Sequence, residues 1–315
     1  MSNLDVRPPV TVCGGRGDVL ADPVFDVLPG RTAPLGATAV RRLLPTLGRR
    51  MVGAWCFLDH YGPDDIATSP GMQVPPHPHI GLQTVSWLLE GEVFHRDSLG
   101  SAQLLRPGTL GLMTAGAAIA HSEQSPPVHP SLLHGTQLWV ALPDAERHRA
   151  PSWEFHESLP VWTGAGVDAR VLLGDLDGAR SPGVVHTPLI GADLTVSGNA
   201  LLPLEPDFEH AIAVVEGALE VDGTVVEPGS LAYLGCGRRS LRVAGTGRAL
   251  LLGGEPFDEK IVMWWNFVAR TDDEDVAAAE ASAVGGFGVV PVYDGDALPA
   301  PPLPPTPLLP RGRER

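Results

Sequence analysis

Lysine is almost missing from this 315-residue chain. Lys260 is the only one, and 22 Lys and Arg together face 37 Asp and Glu. A formal net charge of -15 excludes an extended phosphate-binding surface, which needs clustered Lys and Arg, so no nucleic acid is expected as a partner. Cysteine is scarce as well. Cys13, Cys56 and Cys236 are odd in number and far apart, which excludes a disulfide framework or a zinc ribbon and fits a reducing, cytoplasmic setting. No apolar run reaches membrane-spanning length, and the first residues lack the charged and apolar regions of a signal peptide, so no membrane is expected either.

The 37 glycines and 32 prolines favour many short strands with tight turns over long helices. With 43% hydrophobic and 19% charged residues the chain is globular, and its length suffices for two ordinary domains.

The most informative stretch runs from Pro75 to Glu123. It opens with Pro75-Pro76-His77-Pro78-His79 and closes with Ile119-Ala120-His121-Ser122-Glu123. Between them, β-branched and apolar residues are broken by Glu90-Gly91-Glu92 and by Arg106-Pro107-Gly108-Thr109, the pattern of strands joined by turns. Residues i and i+2 of a strand face the same side, so His77 pairs with His79 and His121 with Glu123. If the two strands lie across from each other, three imidazoles and a carboxylate converge, a donor set suited to a divalent first-row metal ion. Of the 11 histidines, His60, His95, His129 and His134 lie near this region in sequence, as supporting or exposed residues. His148, His156, His186 and His210 have no such pairing and read as structural or solvated.

The chain divides as follows. Residues 1–24 form a loose leader, 25–145 a first β domain with the metal site, and 146–160 a polar linker containing the aromatic pair Trp153 and Phe155. Residues 161–258 form a second β domain. Its Val214-Val-Glu216-Gly217 echoes Leu88-Leu-Glu90-Gly91, and its Glu227-Pro228-Gly229 echoes Arg106-Pro107-Gly108. His77 and His79 stand 14 and 12 residues before Gly91, and the same offsets before Gly217 land on Pro203 and Glu205. Likewise, the places of His121 and Glu123 after Pro107 correspond to Arg242 and Ala244 after Pro228, so the second domain lacks the ligand set. Residues 259–298 return with a tryptophan pair, Trp264-Trp265, expected to be buried against another surface. Thr271-Asp-Asp-Glu274 has capping-box spacing and opens one helix. The proline-dense residues 299–315 are expected to be a mobile tail.

These motifs together resemble the pirin family of bicupins. The likeness rests on Pro76-His77-Pro78-His79-Ile80-Gly81-Leu82-Gln83, His95-Arg96-Asp97-Ser98, Met113-Thr114-Ala115-Gly116, Ile119-Ala120-His121-Ser122-Glu123, His134-Gly135-Thr136-Gln137 and Trp264-Trp265-Asn266-Phe267. The resemblance implies an all-β fold of two cupin (jelly-roll β-sandwich) domains in tandem with a short C-terminal helix. It also implies one iron held by His77, His79, His121 and Glu123. Manganese, cobalt, nickel, copper or zinc could take the same donors. Ile80 and Gln83 stand where many pirins carry Arg and Glu, and no ligand position is altered.

The bacterial branch implies a quercetin 2,3-dioxygenase, acting on a flavonol-like aromatic substrate and O2, with Glu123 as both ligand and catalytic base. The rival reading is a non-catalytic iron-binding redox sensor that docks on a protein partner. An isomerase-type cupin chemistry, using Arg96, Ser98 and His95, is a third.

Overall fold

The computed structural model describes residues 24–35 and 38–313, so the expected leader lies almost wholly outside the described residues. The first twelve strands are β1 (Asp26–Pro29), β2 (Arg31–Leu35), β3 (Thr38–Leu44), β4 (Trp55–Asp65), β5 (Gln73–His79), β6 (Leu82–Glu90), β7 (Val93–Asp97), β8 (Ala102–Leu105), β9 (Leu110–Thr114), β10 (Ile119–Gln124), β11 (Leu132–Ala141) and β12 (Ser152–His156). Seven of them form one sheet in the order β12-β9-β6-β11-β4-β3-β2, and four form the facing sheet, β5-β10-β7-β8. The alternation of core and solvent side chains is weak here because β6, β9 and β10 are buried almost throughout.

The second half holds β13 (Val161–Gly164), β14 (Val167–Leu176), β15 (Ala179–Arg180), β16 (Leu189–Pro203), β17 (Glu209–Glu216), β18 (Leu219–Val221), β19 (Thr224–Val226), β20 (Ser230–Gly235) and β21 (Ser240–Gly254). Its pairings repeat those of the first half: β17 lies beside the second half of β21 as β6 lies beside β11. At the echoed turns Gly91 and Gly217 have φ of 88° and 64°, and Gly108 and Gly229 have 89° and 76°, a region where a Cβ is strained. The two repeats therefore share turn geometry as well as sequence. The fold is the bicupin expected from the sequence.

Two strands sit elsewhere than their sequence position suggests. β1, placed with the first domain by position alone, pairs antiparallel with β20 of the second. β12, read as linker, adds to the first sheet along β9 and sets Trp153 opposite Met113. The halves share one hydrophobic core containing Trp55, Leu82, Leu172 and Leu252. Trp55 Nε1 donates to the Ile190 carbonyl at 3.0 Å and lies 3.2 Å from that of Gly253. Gly53, at φ 52°, permits this contact, because a Cβ there would stand 2.7 Å from Gly254 Cα.

Beyond the second sheet come β22 (Val262–Trp264), β23 (Phe267–Ala269) and α1 (Asp272–Ala283). Thr271 caps α1 by accepting from the Glu274 N–H at 3.3 Å, as its spacing predicts. The buried aromatic of this segment is Phe267, whereas Trp264 and Trp265 are only half-buried. The proline-rich tail is docked. Leu298 N–H donates to the Pro76 carbonyl at 2.8 Å, Arg311 pairs with Ile261, and Arg313 reaches Asp258 at 2.6 Å and Glu209 at 3.2 Å. A composition rich in proline stiffens the chain but does not free it when its few polar groups meet buried partners. Among the described residues no helix is long and apolar enough to cross a membrane.

Candidate metal centre

The histidines converge because β5 and β10 pair antiparallel with His121 directly opposite His77. The register then slips, so that Glu123 faces Val74 rather than Pro75, and the extra residue in β5 is a bulge. His77, His79 and His121 each offer one nitrogen, all within 4.8 Å of one another, and their residues are 7%, 1% and 1% exposed. The Nε2 atoms of His79 and His121 are 3.1 Å apart.

The tautomers follow from the neighbours. His77 Nδ1 lies 2.8 Å from the Pro75 carbonyl and His79 Nδ1 lies 2.9 Å from the Asn266 carbonyl. A carbonyl only accepts, so each Nδ1 carries the proton and each Nε2 keeps a lone pair. Burial pushes the pKa of His77 down to about 4 and those of His79 and His121 well below the usual range. Neutral imidazoles are the form that binds metal. Nitrogens about 2.1 Å from an ion and at right angles stand roughly 3.0 Å apart, close to the observed separation of His79 and His121. The donor set therefore fits a divalent ion.

Glu123 approaches from the same strand but falls outside the triad of mutually close ligand atoms. Its Oε1 accepts from Ser86 Oγ at 2.8 Å, and Ser86 also reaches Gln137 at 3.1 Å. Burial raises the Glu123 pKa, and the Ser86 hydrogen bond opposes that rise.

Behind His121 stands a second group. His95 Nδ1 is 3.4 Å from His121 Nδ1, His95 Nε2 is 3.1 Å from Asp97 Oδ2, and the His95 ring stacks on Trp153 with centroids 3.6 Å apart. Burial raises the Asp97 pKa, but hydrogen bonds from His95 and Ser101 outweigh it and the net shift is downward. The sequence marked His95 as a neighbour of the site and as part of the isomerase-type alternative, and left Asp97, Ser86 and Asn266 without a role. An i, i+2 pair on β7 was the available signal for His95 and Asp97.

Of the other nearby histidines, His60 and His134 lie together, Nε2 to Nε2 at 2.7 Å, away from the triad, and His129 is half-buried with its ring nitrogens on the Pro130 and Ser69 carbonyls. Arg96 pairs with Gln124, and Ser98 Oγ accepts the Ala120 N–H, so neither joins the cluster. Gln83 Nε2 donates to Thr114 Oγ1 and the Val184 carbonyl, at 2.9 and 3.0 Å, and the Ile80 carbonyl accepts the Val268 N–H at 3.1 Å.

A cavity of about 700 Å³ opens on His77. Its wall comes from β5, α1 and the returning chain, with Ala283, Phe287, Val290, Tyr293 and Leu298 among the lining side chains. It is predominantly apolar, as sites for small organic ligands are.

Comparison with known proteins agrees with this geometry. The Pirin family model matches residues 37–140 and the Pirin C-terminal cupin domain matches residues 191–288. A Pseudomonas aeruginosa protein provisionally named quercetin 2,3-dioxygenase is 46% identical over 275 residues, covering 85% of this chain and 87% of that one. A pirin-like protein of Caulobacter vibrioides is 37% identical over 295 residues, covering 90% of this chain and 100% of its own. The crystal structure of a quercetin 2,3-dioxygenase from Acinetobacter baumannii superposes with a TM-score of 0.86 at 42% identity, covering 90% of this chain and 96% of that one. Two cupin domains, a histidine triad in the first and this agreement along both halves establish that the chain belongs to the pirin family.

Proposed function

We propose that the protein is a metal-dependent dioxygenase that opens the heterocyclic ring of a flavonol-like substrate with O2 and releases carbon monoxide. The observation that carries this reading is the neutral His77, His79, His121 triad, of which His77 lines the wall of an apolar cavity. His77, His79 and His121 would hold the ion, with Glu123 as fourth ligand. Fe(II) is the proposed metal. Four protein donors leave an octahedral ion open positions, and the bound metal would supply activation of O2 and of the substrate oxygen.

The chain's own residues do the rest. Glu123 accepts the substrate hydroxyl proton, and Ser86 fixes the carboxylate that receives it. Phe287, Tyr293 and Leu298 flank the aromatic body and exclude water from it. The same cavity favours catalysis over a redox sensor docked on a protein partner, which needs a closed centre beneath a protein-binding face. A cytoplasmic location fits the buried thiol of Cys56, which is in no disulfide among the described residues. The test is Glu123→Ala, folded and metal-loaded. Loss of flavonol ring opening supports the reading, and an unaltered rate ends it.

A further inference from the structure

The second domain has lost the ligands, yet its interior has not been filled. A cavity of about 680 Å³ lies inside it, and both Pro203 and Glu205, the positions that correspond to His77 and His79, line its wall. Its inner surface is apolar: Leu189, Ile190, Leu204 and Leu251 are each buried, and Phe208 is half-buried beside them.

Among the described residues two buried polar side chains line the cavity, Ser181, whose Oγ is taken up by the Leu172 carbonyl, and His210. His210, 1% exposed, is on β17 six residues before Glu216, where Thr84 stands before Glu90 in the first repeat. Its Nδ1 makes no well-formed hydrogen bond among the described residues, and the nearby Phe208 backbone only partly offsets the downward shift of its pKa. Buried ring nitrogens seldom lack such a bond. Burial, and then the charge of Arg238, bring its pKa down to about 4, so at neutral pH the ring is uncharged and offers one donor and one acceptor.

The mouth sets the sign of what can enter. Asp175, Asp177 and Glu205 are exposed there and face a single cation, Arg180, whose Nε is already 3.2 Å from Asp175 Oδ2. An anion would meet a net negative rim, and among the described residues that line the cavity the one cation, Arg180, is already paired. The lip is ordered: Asp175 Oδ1 accepts the Gly178 N–H at 2.8 Å, and Ser181 Oγ donates to the Leu172 carbonyl at 2.6 Å. Gly174 allows this lip to close on β16, since a Cβ there would stand 1.9 Å from the Leu189 carbonyl oxygen.

We infer that the second cupin is a binding site in its own right, for a small uncharged molecule with an apolar body and a hydroxyl group that pairs with His210. The site needs no metal and is separate from the cavity beside His77.

Calorimetric titration of the full chain with 2-naphthol and with 2-naphthoate tests this. The expected result is 2-naphthol binding that persists in Ala283→Trp, which fills the cavity beside His77. That binding falls at least tenfold in His210→Phe and in Pro203→Trp, which fills the second cavity from a half-buried position. 2-Naphthoate, with the same body and a carboxylate, binds at least tenfold more weakly. Absence of 2-naphthol binding at millimolar concentration overturns the inference. So does binding lost in Ala283→Trp alone, binding indifferent to both second-cavity variants, or equal affinity for 2-naphthoate.

Discussion

His95 Nδ1 lies 3.4 Å from the Nδ1 of His121, and the other nitrogen of His95 lies 3.1 Å from Asp97. The chain Asp97, His95, His121 can pass one hydrogen-bond direction through two imidazoles. Asp97 accepts from His95 Nε2, which leaves His95 Nδ1 to accept from His121 and His121 Nε2 free for a metal. Partners of this kind set both the orientation and the basicity of a ligand. Asp97→Asn should therefore weaken metal affinity by about 10–100-fold with the triad intact. A chelator competition titration reads this directly, and unaltered affinity would show that His121 needs no such support.

The cavity beside His77 is walled by α1 and the chain that follows it. Ala283→Trp should raise KM for a flavonol at least tenfold while the metal content per chain stays unchanged. Steady-state kinetics beside metal analysis checks this, and an unchanged KM would place the substrate elsewhere.

Asp275 in α1 is fully buried, and among the described residues neither carboxylate oxygen has a hydrogen-bond partner. Burial, then the charges of Asp272 and Glu274, push its pKa up from 3.8 to about 7. The folded chain thus keeps a proton that the unfolded chain releases. This favours folding most below pH 3.8, is lost as pH rises toward 7, and leaves a constant penalty above that. Asp275→Asn should raise stability at pH 8 by about 2 kcal/mol, the scale of one unpaired buried polar group, and by less at pH 5. Urea unfolding at the two pH values measures the difference.

Glu209 joins both halves to the tail. It is 0% exposed, and it accepts from Gly53 N–H and Tyr233 Oη, each at 2.8 Å, with Arg313 at 3.2 Å and Arg49 at 3.8 Å. Glu209→Ala removes the buried carboxylate that these donors and cations share and should cost about 3–5 kcal/mol in urea unfolding. Arg313→Ala should cost less, because Arg49 remains beside the carboxylate.

Much of this was legible before any coordinates. The period of two selected His77 with His79 and His121 with Glu123, and the repeated Glu-Gly and Pro-Gly turns marked two copies of one fold. Local patterns show what one strand carries on one face. They do not show which strands meet, so the support from Asp97 through His95, the stacking of Trp153 from β12 and the Asn266 carbonyl behind His79 were hidden. Asn266 is 187 residues from His79, a separation over which spacing carries no signal. The pairing of β1 with β20 was illegible because four residues are too few to show a period. The tail was misread because proline content speaks of stiffness and extension, whereas docking depends on single residues such as Arg313.

The measurement that bears most directly on the central claim uses protein stripped of metal and reloaded anaerobically with Fe(II). Oxygen uptake and carbon monoxide release are followed with quercetin, beside His79→Ala treated in the same way. The account predicts stoichiometric uptake and release by the native chain, and their loss in the variant. Iron bound at one per chain with no uptake would contradict it and leave the triad as the centre of a non-catalytic protein.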